Sequence, residues 1–424
     1  MKTQAKITVL LLFLLLLVPL LSCGGGGGSG SGDTPSPDPP PIVISSDWEH
    51  EPTYIETAMD AGNTHYNSGG RRLVRIDNTT LALVVDGAND HLYRTQDNGA
   101  SWTEIDSEAG FSGCLLTGPG SYVYHFSRFG TSVRMVKFIY NATTIPAPIN
   151  IFTNMGLSNH GAYTMLNGTV DADGNLYVFI HFDTGTGGDT IFLLKSEDHG
   201  STWNPPVTVR TGNGNHSYGY MHSDVTPEGD IVLAYSEWGS LSSQFAISSD
   251  GGDTWSHTEI ASGSIYNPCI LPVGNNEIYV FAQSDPNNGL VFKKSSDSGA
   301  TWPATWTSIQ SNHTGGYADP SAALGSDGTI YVAFRGAETL TALSDDLREF
   351  MARSVDGGAS WDFPDKHLAG GRVGTRSNLR YQTWYNYGGP LEWTWLEENG
   401  LNTNIYPTMY DINSGVNIFD ITNL

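Results

Sequence analysis

The residues best suited to chemistry in this sequence lie in short polar segments rich in His, Tyr, Asn and Arg, spread along the whole chain. The segments are 64–67, 159–163, 215–222, 266–267, 312–319 and 376–381. His and Asn donate and accept hydrogen bonds, and Arg grips carboxylates through a planar fork of donors. Tyr adds an aromatic face. This mixture suits sugar rings, which stack through C–H groups and hydrogen-bond through hydroxyl groups.

Distant segments form one site only if a repeated scaffold brings them together, and the sequence contains such a repeat. The pattern Ser/Thr-x-Asp-x-Gly-x-Ser/Thr-Trp occurs five times, with its aspartates at Asp97, Asp198, Asp250, Asp297 and Asp356. The carboxylate accepts N–H bonds across a tight turn, and Gly supplies backbone angles that a side chain would forbid. The Trp is expected to bury its ring against the next unit while its indole N–H keeps a partner. These residues are predicted to be structural.

A second repeat gives the architecture. Short runs rich in β-branched and aromatic residues occupy 80–85, 121–126, 175–180, 230–235, 277–282, 329–334 and 390–395. Units of about 50 residues, each with four antiparallel strands, predict an all-β propeller over residues 42–424. Seven runs predict seven blades, and six would result if the last unit is built differently. The unit near residue 121 lacks the box, and strand-like pieces within 42–65 are expected to close the ring.

The N-terminal segment is predicted to be a signal peptide, residues 1–22. Two lysines precede an apolar run of 15 residues, too short to span a membrane comfortably. The closing Leu-Leu-Ser-Cys resembles a bacterial lipobox, which implies cleavage before Cys23 and its diacylation. Residues 23–41 continue as a Gly/Ser/Pro-rich tether. Gly24 points to the outer membrane, so we expect a lipoprotein of the bacterial cell envelope.

Charge and cysteine content exclude several functions. Removing residues 1–22 takes away two lysines and no acid, so the net charge of −24 becomes −26. This sign excludes nucleic acid as a natural partner. It also disfavours polyanionic glycans unless Arg residues concentrate at one place. Cys114 and Cys269 are expected on inner strands far apart around the ring, as buried thiols. We expect a monomer without metal or cofactor.

The five boxes resemble the Asp-box, or bacterial neuraminidase repeat, of sialidase-like propellers, over residues 66–424. The resemblance implies that each box joins the third and fourth strands of a blade on the lower face. It places ligand sites on the opposite, upper face, at the channel mouth. There we expect the substrate-binding residues His160, His216, Tyr220 and Asp319.

The resemblance also implies a set of sialidase residues. That family uses three Arg to hold a carboxylate, a Tyr–Glu nucleophile pair and an Asp acid/base. Residues 75–77 read Arg-Ile-Asp in place of the family's Arg-Ile-Pro, and no Arg stands where the middle blades would supply one. The candidate arginines are Arg72, Arg335 and Arg376 or Arg380. Tyr381 with Glu237 would form the pair, and Asp86 or Asp90 the acid.

Four functions follow from these residues. The leading prediction is a glycoside hydrolase of sialidase-like build. A neutral-sugar hydrolase needs two carboxylates roughly 5–9.5 Å apart, which Glu237, Asp319 and Asp183 could supply. A polysaccharide lyase needs an acid and a base beside a uronate, and His222 with Tyr220 or Tyr218 suits it. A tethered propeller that only binds glycan or protein is the non-catalytic alternative.

Overall fold

The computed structural model describes most of the unit Val43–Leu424. The described residues are 53–56, 73–76, 79–85, 89–97, 101–153, 166–182, 190–212, 218–237, 242–261, 263, 265–284, 289–309, 320–325, 328–337, 347–362, 372–380, 391–399 and 411–419. The predicted signal peptide, Cys23 and the tether lie outside them. Within these ranges, no helix has the length and apolar character needed to cross a membrane.

The described secondary structure is almost entirely β-strand. In chain order, the first strands are β1 (Thr53–Glu56), β2 (Leu73–Ile76), β3 (Thr79–Val85), β4 (Asn89–Thr95), β5 (Thr103–Ala109), β6 (Phe111–Gly118), β7 (Tyr122–Phe129), β8 (Ser132–Ile139), β9 (Ile149–Thr153), β10 (Leu166–Val170), β11 (Leu176–Phe182), β12 (Thr190–Ser196) and β13 (Val207–Thr211). A single turn of 3-10 helix, Pro119–Ser121, joins β6 to β7.

The second half of the chain continues the same pattern. Its strands are β14 (Tyr218–Val225), β15 (Ile231–Glu237), β16 (Ser242–Ser248), β17 (Ser256–Ala261), β18 (Ile265–Gly274), β19 (Glu277–Ser284), β20 (Gly289–Ser295), β21 (Thr307–Ser308), β22 (Ser321–Leu324), β23 (Ile330–Ala337), β24 (Leu347–Ser354), β25 (Arg372–Arg380), β26 (Leu391–Asn399) and β27 (Asp411–Phe419).

These strands form seven antiparallel sheets, which we call blades 1 to 7. Blades 1 to 5 are β2–β5, β6–β9, β10–β13, β14–β17 and β18–β21, each paired in chain order. Blade 6 has three strands among the described residues, β22–β24. Blade 7 is β25–β27 completed by β1, whose Thr53 pairs with Val416. The N-terminal strand therefore closes the ring, as the sequence predicts, and the seven predicted runs coincide with the second strand of each sheet.

The first strand of each blade is its inner strand, and the inner strands contact one another in a closed circle. The contacts run β2, β6, β10, β14, β18, β22, β25 and back to β2. The all-β propeller of four-stranded blades is thus confirmed. The boxes join the third and fourth strands of blades 1, 3, 4 and 5, and the fifth box follows the third strand of blade 6. We call their side the lower face. The upper face carries the links between blades and the turns between second and third strands.

The box carboxylate organises its turn as predicted. Oδ1 of Asp250 accepts hydrogen bonds from the backbone N–H of Thr254 (2.9 Å) and the hydroxyl of Ser248 (2.8 Å). Oδ2 of Asp250 accepts a hydrogen bond from the Thr254 hydroxyl. Equivalent bonds surround the other four box aspartates. The side-chain hydroxyl bonds lower the pKa of Asp97, Asp198, Asp250 and Asp356 to about 2, and lower the pKa of Asp297 as well.

The box tryptophans pack against the preceding blade, whereas the sequence analysis expected the next one. Their edge-to-face partners lie one blade earlier, at centroid distances of 5.3–5.9 Å: Trp203 on Phe126, Trp255 on Phe179, Trp302 on Phe245 and Trp361 on Phe281. Each of these four rings therefore lies in the apolar seam between its own blade and the preceding one.

The predicted indole partner is present in only two boxes. Trp255 and Trp302 donate to the carbonyls of Gly252 and Gly299, at 3.1 and 3.0 Å. The indole nitrogens of Trp102, Trp203 and Trp361 are buried with no hydrogen-bond partner in the described part of the chain. The prediction is wrong for these three, so ring packing rather than the N–H bond is the shared property.

The box glycines are needed for close approach as well as for their backbone angle. Gly299 has φ 81°, and a Cβ there would collide with the Phe245 ring of the preceding blade. A Cβ on Gly252 would meet Leu193 in the same way. The boxes of blades 4 and 5 therefore fit against the preceding blade only because these two glycines carry no side chain.

Cys114 and Cys269 are both buried, and no disulfide joins them. Cys114 lies in β6 and Cys269 in β18, the inner strands of blades 2 and 5. This placement confirms the expectation of two separated thiols on inner strands.

Gly299→Ala should lower the free energy of unfolding by roughly 2–4 kcal/mol. About 1 kcal/mol comes from the left-handed backbone and the rest from overpacking against Phe245. Gly229→Ala is the matched control, since Gly229 has φ 100° but no atom within 4 Å of the place that a Cβ would take. It should lose only about 1 kcal/mol. Urea unfolding measures both, and equal losses would contradict the seam contact.

The box aspartates should make stability fall with acid. Their folded pKa of about 2 lies below the ordinary value of 3.8, so folding favours the carboxylate. The resulting stability is present above about pH 4 and is lost as the pH falls towards 2. Asp198→Asn combined with Asp250→Asn should lower Tm at pH 7, and the gap from wild type should close between pH 4 and pH 2. A gap that stays constant would refute this origin.

Candidate functional site

The inner strands of four blades contain register shifts in their upper halves. The shifts lie between Phe111 and Cys114 in β6, Gly219 and Met221 in β14, Tyr266 and Cys269 in β18, and Val373 and Asn378 in β25. Bulges bend a strand and re-aim its side chains, and they are common beside active sites. The closed ring brings these irregular segments around one opening. This opening is the candidate site, the channel mouth that the sequence analysis predicted.

His222 follows the bulge of β14 and is partly exposed. The backbone N–H of Ile270, on the inner strand of blade 5, donates to His222 Nδ1 at 3.3 Å. A neutral ring with an accepting Nδ1 carries its proton on Nε2. In this geometry His222 is therefore a hydrogen-bond donor through Nε2, suited to a carboxylate or a sugar oxygen.

Asn267, in the bulge of β18, is held in a strained conformation. Its φ is 57°, in the left-handed region that non-glycine residues seldom adopt. Its backbone N–H donates to Ser236 Oγ, and its Nδ2 donates to Gln283 Oε1, both at 3.0 Å. Gln283 is fully buried, and its Nε2 has no hydrogen-bond partner among the described residues. Backbone strain and an unsatisfied buried donor are the features expected beside a binding site.

Glu237 ends β15 at the upper face, in the seam between blades 3 and 4. Arg210 Nη2 lies 3.6 Å from its Oε1, and the Ser242 hydroxyl donates to Oε2 at 3.4 Å. Glu237 is buried, with 9% of its side chain exposed. Burial lowers the pKa of the neighbouring His257, and the charge of Arg210 lowers it further. The negative charge of Glu237 is thus already compensated by a cation.

A buried polar pair lies in the seam between blades 1 and 2. His125 Nε2 and Asp90 Oδ2 are 3.1 Å apart, and both side chains are at most 1% exposed. Asp90 Oδ1 and His125 Nδ1 have no partner in the described chain. A Cβ on Gly113 would press on Asp90 Oδ2. Asp90, the alternative acid, therefore sits inside the seam. Burial raises the pKa of the nearby Asp106, an effect that His125 partly offsets.

The remaining predicted residues stay predictions, because their side chains are not described. Seven lie outside the described residues: Arg72, Asp86, His160, Asp183, His216, Asp319 and Tyr381. Four more lie on described strands, where only the backbone is described: Tyr220 in β14, Arg335 in β23, and Arg376 and Arg380 in β25. Within the described ranges, no three His, Cys, Asp or Glu side chains are grouped to hold a metal ion.

The backbone positions separate these four. Tyr220 and Arg376 lie in the register shifts of β14 and β25, and Arg335 lies near the upper end of β23, paired with Glu349. Arg380 ends β25 and pairs with Glu392, at the lower end of the inner strand. Of the last-blade arginines, Arg376 is therefore the one nearer the mouth.

The sequence analysis missed Gln283 and Arg210 as residues that support the upper face. Both lie within ordinary strands, where nothing in the pattern distinguishes them. Each reaches its partner across strands or blades, and sequence spacing does not report such a contact.

The solved structures to which this chain is similar include sialidases and polysaccharide lyases. An ulvan lyase, solved bound to GlcA(1-4)Rha3S, matches with a TM-score of 0.60, 11% identity, and coverage of 85% of this chain and 94% of its own. A Trypanosoma rangeli sialidase in complex with sialic acid matches with a TM-score of 0.50 and 14% identity, over 84% of this chain and 60% of its own. A Hadza microbial sialidase matches with a TM-score of 0.50 and 13% identity, over 78% of this chain and 74% of its own.

Residues 159–305 match the family model described as a BNR repeat-like domain. The recognition of Asp-box repeats in a sialidase-like propeller is thereby confirmed. No curated protein matches the chain in sequence. At these low identities the structural matches establish the fold.

Removing either Asp90 or His125 should destabilise the protein, because the remaining side chain loses its buried partner. Asp90→Ala and His125→Ala should each cost about 3 kcal/mol, because each leaves a buried polar group uncompensated. The double variant should cost less than the two losses together, with a coupling of about 1–3 kcal/mol. Urea unfolding of the four proteins gives this cycle. Additive losses would show that the two side chains act independently.

Proposed function

We propose that this protein is an exported, lipid-anchored propeller that binds an acidic polysaccharide at the upper channel mouth and cleaves it by β-elimination. The observation that carries the proposal is the ring of inner-strand bulges, with the donor His222 and the strained Asn267 beside them. Bulged strands that present His, Tyr and amide groups at one opening fit the default description of a binding site.

The known structures support a lyase over a sialidase. The ulvan lyase is covered over 94% of its length, so almost all of that enzyme has a counterpart in this chain. The Trypanosoma rangeli sialidase is covered over 60%. The share of the matched protein that this chain covers is therefore larger for the lyase than for the sialidase.

The chemistry of elimination fits His222 by its geometry and Tyr220 by its residue type and backbone position. A base removes the proton at C5 of a uronate, the electron pair forms a C4–C5 double bond, and the C4–O bond breaks. The leaving oxygen takes a proton, and no water is consumed. Holding the carboxylate by a donor makes the C5 proton more acidic. His222, with its proton on Nε2, is suited to that role, and Tyr220 in the adjacent bulge is the proposed acid/base.

The glycoside hydrolase that led the sequence analysis has less support. A sialidase-like reaction would need Glu237 to activate the Tyr381 phenol. The carboxylate of Glu237 is already engaged by Arg210 and Ser242, and this weakens its pull on a phenol proton. Hydrolysis is retained as an alternative outcome of the test below.

The proposed cellular location rests on the N-terminal sequence. We propose that Cys23 carries the lipid and that residues 24–41 hold the propeller away from the bacterial envelope. A chain of 18 flexible residues has a root-mean-square reach of roughly 25 Å. That distance lets the upper face meet a long polysaccharide without contact with the headgroups.

Incubation of the full-length protein with uronic, sialylated and neutral glycans should give cleavage of a uronic polymer. Elimination creates an ultraviolet-absorbing double bond next to the carboxylate, together with new reducing ends. His222→Ala should lower this rate by roughly 10²–10³-fold, because it removes a positioned donor from the developing charge. His91→Ala is the matched control, since His91 contacts Glu104 on blade 1, away from the mouth.

The products distinguish the alternatives. Reducing ends without ultraviolet absorbance would mean hydrolysis. Thermal stabilisation by a glycan without any product would leave a binding module. Equal activity in the His222 and His91 variants would remove His222 from the mechanism.

A further inference from the structure

Blade 2 differs in charge from the rest of the chain. No Asp or Glu occurs between Glu108 and Asp171, although the chain has 44 acidic residues. The same stretch contains Arg128, Arg134 and Lys137. In a protein of net charge −24, this blade is where an anion meets the least repulsion. It is also one of the two blades without an Asp box, the other being blade 7.

The upper turn of this blade is a tight hairpin that presents an aromatic ring. Phe129 pairs with Ser132 across the two residues Gly130 and Thr131, and Gly130 has φ 60°. The buried guanidinium of Arg128 braces the turn by donating from Nε to the Gly130 carbonyl at 3.0 Å. Phe129 at the tip is 44% exposed. A large apolar ring is thus held rigidly at the surface.

Arg134 lies against this ring. Its Cζ is 3.6 Å from the ring centroid of Phe129, and one Nη1 N–H reaches the Ala109 carbonyl at 3.5 Å. No carboxylate of the described residues forms an ion pair with it, including Glu108, the neighbour of Ala109 in sequence. Among the described residues, the Ala109 carbonyl is the only hydrogen-bond acceptor of this guanidinium. An Arg fork of this kind matches a carboxylate or a sulfate group.

We infer that Phe129 and Arg134 form a second glycan-binding site on the upper face, for a sugar residue that carries a carboxylate or sulfate. The apolar face of the sugar ring stacks on the Phe129 side chain, and the carboxylate or sulfate of the sugar accepts hydrogen bonds from Arg134. The inference rests on the proposed function, because it assumes that acidic polysaccharide is the natural ligand. The site lies at the upper turn of blade 2, beside the β6 bulge where Phe111 pairs with Arg128 and two blades away from His222, and would retain a long chain during cleavage.

Binding of the full-length protein to three polymers tests the site. The probes are polygalacturonate, which carries carboxylates, dextran sulfate, which carries sulfates, and neutral dextran. Arg134→Gln should weaken binding to whichever charged polymer is the ligand by about tenfold. Arg134→Lys should retain part of the affinity, because it keeps the charge and loses the fork. Phe129→Ala should weaken binding roughly three- to tenfold.

Lys294→Gln is the matched control for charge. It removes one positive charge at the lower face, where Lys294 pairs with Glu277 at 2.7 Å. Its affinity should equal that of wild type, and thermal unfolding should show that the Arg134 and Phe129 variants remain folded. An equal loss of affinity in Lys294→Gln and Arg134→Gln would show that the effect comes from net charge alone, and it would overturn the proposed site. Wild-type affinity in Arg134→Gln, or no binding of wild type to a charged polymer, would also overturn it.

The cleavage assay separates this inference from the proposed reaction. A His222→Ala variant that loses cleavage but still binds the charged polymer supports two separate sites. A wild-type protein that cleaves nothing, yet binds through Arg134, refutes the proposed reaction and supports the second site. If cleavage is present and the Arg134 variants bind as wild type does, the second site is refuted and the reaction stands.

Discussion

The packing of each box turn onto the preceding blade is the constraint on which the rest of the structure depends. The box tryptophan places its ring edge on a phenylalanine one blade earlier, and the box glycine leaves room for that blade's side chains. Hydrogen bonds follow the same direction, since Tyr279 of blade 5 donates to the Gly357 carbonyl of the blade 6 box at 2.8 Å. One repeated contact thus sets the distance and angle between neighbouring sheets.

A fixed angle between sheets has a consequence at the opposite face. Seven sheets related by similar rotations close on themselves, and the upper ends of their inner strands then surround one opening. The seams are apolar near the boxes and become polar towards the upper face. There Asp90 meets His125, and Arg210 meets Glu237. The lower part of each seam supplies stability, which leaves the upper part free to carry strained residues such as Asn267 and unsatisfied donors such as Gln283.

The sequence predicts most of this fold, because the repeats that define the fold are local sequence patterns. The five boxes and the seven strand runs are each readable within about ten residues, and all seven runs are second strands in the structure. The predicted direction of the tryptophans is wrong, since a repeat shows that units touch but not which neighbour a ring enters. The bulges are also unreadable in the sequence, because an extra residue in a strand is defined by its partner strand.

The site is less predictable for the same reason. His222 stands out through its residue type, but its role as a donor depends on the N–H of Ile270, 48 residues away. The interpretation of Glu237 as partner of a catalytic tyrosine does not include Arg210, on the outer strand of another blade. The absence of acids from 109–170, in contrast, is visible in the sequence, and its meaning emerges once Arg134 is found stacked on Phe129.

The most direct test of the account is an experimental structure of the protein with a bound acidic oligosaccharide of several residues. The account predicts density for the sugar on the upper face, at the opening formed by the bulged inner strands, with a carboxylate within hydrogen-bond distance of His222 Nε2. Density on the lower face among the Asp boxes, with the upper opening empty, would contradict it.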